Sequence, residues 1–383
     1  MSYQIGFLLP KSVIYPSINF DLMAGLRAGL LKAGMGDATI KTENIGVGGS
    51  DKQIYGVCEQ MLMEGVRVIA GYVNPTTAEK LSTLFVNANA LFISLDAGYH
   101  FPSSLVKPQN IFYISLQGAL CCRIATKTAM SDGAKKMAYT SSYYEAGYRS
   151  AYAFYKGLED EQGEATMNHI TKLIRSEFSL APLDEHLKDK KTDAVFASFC
   201  GDMLQDFYTA AAKDHVFTGH AVYGAPFMGE EQWLNDCPYP GVDIKVCVPW
   251  GRELDNDINK EFIKELADKR QKINVFSLLG WEAGNVAAAA LQAGDTDAAI
   301  TALEGYRYDS PRGSVVLAAG THQCHAPVYD AVVQKNELTE MCRLAIGKES
   351  PYTEAQRQRL EHDISSVQGP FTSWYNAYGC MES

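Results

Sequence analysis

The feature that most constrains this chain is a repeated alternation of short, fully apolar runs with longer amphipathic ones. "YQIGFLLP", Tyr3 to Pro10, is an apolar run closed by proline, and "NFDLMAGLRAGLLKAG" follows with Phe20, Met23, Leu26 and Leu30 at helical spacing and Gly34 as a stop. "ATIKTENIG" alternates weakly as a strand, "KQIYGVCEQMLMEG" is amphipathic, and "VRVIAGY" is uniformly apolar, as strands buried on both faces of a parallel sheet are. The unit then repeats. "PTTAEKLSTLFVNAN" reads as helix, "ALFISLD" and "NIFYISLQG" as strands, and "LCCRIATKTAMSDGA" as helix. Beyond these, "KKMAYTSS", "DAVFASFCG" and "TGHAVYGAP" read as strands. "AGYRSAYAFYKGLEDEQG", "LDEHLKDKK", "MLQDFYTAAAKDH" and "VFSLLGWEAGNVAAAALQAG" read as helices. "GSVVLAAGTHQCHAPVYDAVVQKNEL" reads as a hairpin, and Thr353 to Val367 as a last polar helix. Strand–helix alternation predicts an α/β fold of doubly wound parallel sheets with right-handed crossovers.

At 383 residues the chain exceeds one ordinary core, so two lobes are expected. No Pro/Gly/Ser tract divides it, which fits lobes that share several crossovers rather than domains joined once. Its 46% apolar residues suffice for burial, and no run approaches the ~20 residues needed to span a bilayer. A net charge of −11, with scattered lysines and arginines, argues against a nucleic-acid partner. A secretory leader would need an apolar core and a cleavage site, yet a strand pattern begins at Tyr3. Either the chain works in the cytosol, or it starts at a mature N-terminus preceded by a Met.

Nine cysteines without a C-x-x-C spacing make neither a zinc framework nor a thioredoxin-like site. Cys237 with Cys247, or Cys324 with Cys342, could close a short loop in an oxidising compartment; the other reading is free, mostly buried thiols. "GVGGSD", Gly46 to Asp51, has Asp where a dinucleotide loop needs its third Gly, and it follows the second strand, so it reads as a plain glycine-rich loop. P-loop, nucleophile-elbow and zincin motifs are absent. His322, Cys324 and His325 in "THQCHAP" are metal-ligand types, but alternation puts only His322 and Cys324 on one face, and a hairpin tip is the reading adopted. No catalytic set, metal or cofactor is expected.

Candidate binding residues gather where parallel sheets hold ligands, at the carboxyl ends of strands. The turn Asn74, Pro75, Thr76 and Thr77 joins a strand to a helix, and the N–H groups there attract negative charge. Tyr15, Tyr72, Tyr99, Tyr143, Tyr148, Tyr223 and Trp250 stand near expected strand ends, where packing and ligand contact are both open.

Taken in order, "IGFLLP", "VRVIAGYVNPTTAEKL", "NIFYISLQG", "YEAGYRSAYAFYKGLEDEQG", "TDAVFASFCGDMLQDFYTAAA", "GWEAGNVAAAAL" and "ALEGYRYDSPRGSVVLAAGTHQCHAPVYDAVV" resemble the type I periplasmic solute-binding proteins, the branched-chain amino-acid receptor family of ABC transporters. The resemblance reaches to about Leu338. It implies two doubly wound lobes joined by three crossovers near Gln117, Trp250 and Pro327, with a ligand in the cleft between them. Lobe 1 is then residues 1–117 with 250–326, and lobe 2 residues 118–249 with 327–383, including a C-terminal extension 348–383. It further implies hinge closure on a small polar metabolite, most often an amino acid or derivative, which a membrane permease receives outside the cytoplasm. The alternative on the same fold is a cytosolic sensor of an amide or similar small molecule. By the same resemblance Asn74, Pro75 and Thr76 form one grip on the ligand, and Asp96, Ala97 and Gly98 a second. Tyr148 closes over it, and Tyr223 and Gly224 belong to the loop that often supplies an acid. This chain departs there: no acid stands at Tyr223–Ala225, and Asp96 would repel a ligand carboxylate unless it turns away and leaves the backbone to bind; either Asp96 becomes an acceptor for an ammonium or hydroxyl, or the ligand is not an α-amino acid.

Overall fold

The computed structural model describes residues 3–46, 49–102, 105, 108, 110–142, 149–171, 175–189 and 191–366. The chain forms two compact units and passes between them after Leu116, after Glu253 and after Ala326. Neither unit is a contiguous stretch.

Unit 1 begins with β1 (Gln4–Pro10), α1 (Ile18–Lys32), β2 (Thr39–Gly46), α2 (Asp51–Met63), β3 (Val68–Tyr72), α3 (Pro75–Lys80), α4 (Ser82–Asn87), β4 (Leu91–Asp96) and β5 (Ile111–Ser115). These strands make one parallel sheet in the order β2-β1-β3-β4-β5. Every residue of β3 and β4 is buried, which explains their unbroken apolar character. The single helix expected after β3 is broken at Leu81 into α3 and α4. The second stretch of unit 1 adds α10 (Asp257–Asp268), α11 (Val275–Ala293), α12 (Thr296–Leu303) and a three-stranded sheet of β11 (Arg307–Ser310), β12 (Gly313–Leu317) and β13 (Cys324–His325).

Helices α1 and α11 meet backbone to backbone. A Cβ on Gly25 would lie 1.9 Å from the Ser277 carbonyl oxygen, one on Gly29 2.1 Å from that of Trp281, and one on Gly280 2.0 Å from that of Leu22. Only glycine permits this approach. The start of α11 is fixed by a capping box at Asn274 and Ser277, and the Asn274 amide donates to Asp21 of α1 at 2.9 Å. Between α11 and the strands lies a fully buried ion pair, Arg312 with Glu282, at 2.7 Å. The Arg312 guanidinium also donates to the Ser115 carbonyl at 2.9 Å, at the end of β5.

Unit 2 comprises α5 (Gly118–Ser131), β6 (Lys136–Ser142), α6 (Arg149–Asp160), β7 (Glu164–Thr171), α7 (Ala181–Lys188), β8 (Ala194–Ser198), α8 (Gly201–Asp214), β9 (Ala221–Gly224), α9 (Glu231–Leu234) and β10 (Ile244–Val248). After the third passage come β14 (Tyr329–Lys335), β15 (Cys342–Glu349) and α13 (Thr353–Ser366). The seven-stranded sheet runs β15-β14-β10-β9-β8-β6-β7, parallel except that β14 lies antiparallel to both β10 and β15. This corrects one reading of the sequence. The stretch from Gly313 to Leu338 is not a hairpin: β12 pairs with β13 in unit 1, whereas β14 pairs with β10 and β15 in unit 2. The described part of the extension packs on unit 2, where the buried Arg123 of α5 bonds Asp160 of α6 and both Asp363 and Gln356 of α13.

The eight described cysteines are all free and buried, so neither loop-closing pair suggested by the sequence is formed; Cys380 lies outside the described residues. His322 stacks on Phe112 at 4.1 Å, its Nδ1 meets the Ile111 carbonyl at 2.8 Å, and no group of three or more metal-ligating side chains occurs among the described residues. Among those residues no helix is long and apolar enough to cross a membrane.

Candidate functional site

In unit 1 the loops leaving β1, β3 and β4 emerge side by side at the carboxyl edge of the sheet, because these strands are adjacent and parallel. Tyr15 and Tyr72 are both buried there and share one partner. Their rings lie 4.8 and 6.2 Å from that of Phe276, edge to face, in the first turn of α11. No local pattern could nominate Phe276, which stands some two hundred residues away in sequence.

The turn after β3 is committed to holding itself in place. The Asn74 side chain caps α3 by accepting from the Thr77 N–H at 2.9 Å, and Pro75 occupies the first helical position, where no N–H is needed. The Thr77 hydroxyl donates to Asp51 at 2.7 Å, beside Lys80 at 2.5 Å. Lys80, and after it Thr77, hold the Asp51 carboxyl below the usual carboxylate range. The Thr76 hydroxyl donates to the Phe101 carbonyl at 3.2 Å, fastening this turn to the loop after β4.

That second loop carries the unit's distinctive chemistry. Asp96 ends β4 with 3% exposure, and its carbonyl accepts from the Leu116 N–H at 3.1 Å. Its carboxylate lies 3.9 Å from Nδ1 of His100, itself 7% exposed. Ala97 is buried, and Gly98, at φ +84°, makes the left-handed bend that brings residue 100 back towards residue 96. His100 was missed in the sequence, although the four-residue interval in "DAGYH" was the available signal.

In unit 2 the corresponding edge is lined by hydroxyls. Tyr139 and Ser198 each meet the Ser150 hydroxyl at 2.9 Å, and burial pushes the Tyr139 phenol up. Ser141, Ser142 and the guanidinium-bearing Arg149 are buried at the end of β6 and the start of α6. Tyr143 and Tyr148 lie outside the described residues.

The remaining sequence candidates of unit 2 are engaged elsewhere. The Tyr223 hydroxyl donates to Asp132, the cap of α5, at 2.7 Å, and Lys245 donates to the same carboxylate at 2.7 Å. Burial works against the charge on Asp132, but Lys245 and Tyr223 outweigh it and hold the carboxyl low. Gly224 ends β9 against Met228, whose side chain a Cβ would meet at 2.8 Å. Trp250 is buried in the segment after β10.

The periplasmic binding protein family model matches residues 2–337, and the chain belongs to that family. No curated protein matches it. Among solved structures, it is similar to a solute-binding protein of an ABC transporter from Rhodopseudomonas palustris HaA2 in complex with p-hydroxybenzoic acid. The TM-score is 0.74 at 20% identity, covering 91% of this chain and 98% of that one. An ABC transporter substrate-binding protein from Sphaerobacter thermophilus matches with a TM-score of 0.78 at 18% identity over 91% and 97%. An ABC-type branched-chain amino acid transporter from Rhodopseudomonas palustris CGA009 matches with 0.69 at 16% over 91% and 96%.

Proposed function

We propose that this chain is a solute receptor that works outside the cytoplasm and delivers a small polar metabolite to the permease of an ABC importer. Capture proceeds by hinge closure at the three points where the chain passes from one unit to the other, with no bond made or broken in the ligand. The observation that carries the ligand class is the buried Asp96, with His100 beside it, at the carboxyl end of β4. A carboxylate there repels an acid and accepts a donor, so the ligand presents an ammonium or a hydroxyl to Asp96. Tyr15, Tyr72 and Phe276 supply an aromatic wall on the neighbouring strand ends. Amino acids and their derivatives are the first class to test. Hydroxylated aromatic acids are the next, since similar structures hold p-hydroxybenzoic and 3,4-dihydroxybenzoic acid.

A thermal-shift screen tests this reading. Ligand at about 100 times its Kd adds about 2.7 kcal/mol of stability. Asp96→Asn should then weaken the best amine or hydroxyl ligand by tenfold or more; unchanged affinity would remove Asp96 from the site. A screen in which no amino acid, amine or hydroxylated aromatic shifts the melt would refute the ligand class. The second reading, a cytosolic sensor, is favoured by the eight buried free thiols, a state that reducing compartments maintain. It predicts that ligand binding persists while no permease is engaged.

A further inference from the structure

Two of the buried thiols face each other across a strand pairing that the sequence did not suggest. Pro238 and Met341 form an isolated antiparallel bridge. One step back along the first segment and one step on along the second, Cys237 and Cys342 are therefore directly opposed, and the Cys342 N–H donates to the Cys237 carbonyl at 2.8 Å. Opposed residues of an antiparallel pair point to the same face. The pair shares this one bond, the Cys237 N–H being turned to the Leu234 carbonyl at 3.0 Å; residues opposed at a hydrogen-bonded position lie about 5.5 Å apart at Cα, inside the ~4.4–6.8 Å that a disulfide spans. Both side chains are fully buried in one apolar cluster with Tyr208. The Cys342 thiol donates to the Pro238 carbonyl at 3.5 Å, so it is turned back towards the segment that carries Cys237.

We propose that Cys237 and Cys342 are a disulfide site, oxidised when the chain folds in an oxidising compartment, the location that the receptor reading implies. In the step the two thiols give up two protons and two electrons, one S–S bond forms, and a small-molecule or enzyme disulfide is reduced to two thiols. The bond would join the two stretches of unit 2 that the excursion through the second part of unit 1 separates. It closes a loop of about a hundred residues, long enough to restrict the unfolded chain strongly. Burial holds the Cys237 thiol at about 12 and pushes Cys342 up as well, so neither supplies thiolate in the folded state. Oxidation therefore belongs to folding, before β15 has docked, rather than to the finished protein.

The test uses the full chain, unfolded in guanidinium with reductant and refolded into a reduced/oxidised glutathione buffer or into reductant alone. Peptide mapping without reduction should find Cys237 joined to Cys342, and denatured protein should titrate two thiols fewer than its nine cysteines. The oxidised form should melt about 5 °C or more above the reduced one. Cys342→Ala and Cys237→Ala should each erase that difference. Folded, reduced protein placed in the same buffer should keep both thiols far longer than refolding protein does. Alkylation of both residues after oxidative refolding, or a bond between other cysteines, overturns the proposal. Ligand shifts measured on both forms judge the receptor reading separately: a shift without the bond fails the disulfide alone, and the bond without a shift fails the receptor alone.

Discussion

In unit 1 the helices that cover the sheet touch through their backbones, whereas in unit 2 they are held together by a buried cation. Gly25, Gly29 and Gly280 let α1 and α11 approach until carbonyls occupy the space of a missing Cβ. Arg123 instead reaches from α5 to carboxylates on α6 and α13. The difference lies in what each interface tolerates. Backbone contact is unforgiving of one added methyl but indifferent to charge; a guanidinium hub tolerates shape changes but not the loss of a partner. Unit 1 does contain a buried ion pair, but Arg312–Glu282 is fully enclosed, whereas the Arg123 carboxylates, Asp160 and Asp363, keep 23% and 13% of their side chains exposed.

Substitutions of matched kind should break this comparison, the charged pair first and the close-packed pair second. Arg312→Met strands the Glu282 charge where no water reaches, and should cost about 3–5 kcal/mol in urea unfolding. Arg123→Met should cost less, about 2 kcal/mol, because water can take over part of its role at Asp160 and Asp363. If the two losses are equal, partial exposure does not soften the second hub. Gly25→Ala should cost about 3 kcal/mol, since the new methyl meets the fixed Ser277 carbonyl. Gly157→Ala in unit 2 should cost under about 1.5 kcal/mol, because the nearest atoms its Cβ would meet belong to the Thr126 side chain, at 3.0 Å, and not to backbone. The urea midpoints of this pair, read against one another, measure how stiff each interface is.

The smallest effect concerns acid, to which one buried group in each unit responds in the opposite sense. Burial raises the Asp21 carboxyl of unit 1 above its ordinary value of 3.8 despite bonds from Asn274 and Ser17. The folded state therefore binds that proton more tightly, and its contribution is full below about pH 3.9 and lost as pH rises through the folded value. Burial lowers His169 of unit 2 below its ordinary 6.5. Its contribution is present above about pH 6.5 and is lost as pH falls towards the folded value. Asp21→Asn should flatten the stability profile above about pH 3.9, and His169→Gln the profile below about pH 6.5. Melting curves across pH would show whether the two groups act in these opposite senses.

Much of the fold was legible because strands buried on both faces carry unmistakable runs, such as "VIAGY" and "LFISLD". Two strands of unit 2 were not. β7, "EATMNHIT", is half exposed and its polar residues mask the pattern, and β10 contributes only five residues between turns. The misread hairpin failed for another reason: β12 and β14 are close in sequence, but the chain changes units between them. At the site, residues placed by a local turn could be named, as with Asn74 capping α3. Partners brought in by tertiary packing could not, since nothing in a local window connects Tyr15 with Phe276, or Cys237 with Cys342.

The glycine-lined contact between α1 and α11 also sets a timetable. About 240 residues separate the two helices, so at ~5–20 residues per second the ribosome takes roughly ten to fifty seconds after finishing α1 to begin supplying its partner. Throughout that interval α1 presents an uncovered apolar face, and nascent unit 1 waits for the second unit to be synthesised before it can close its own core.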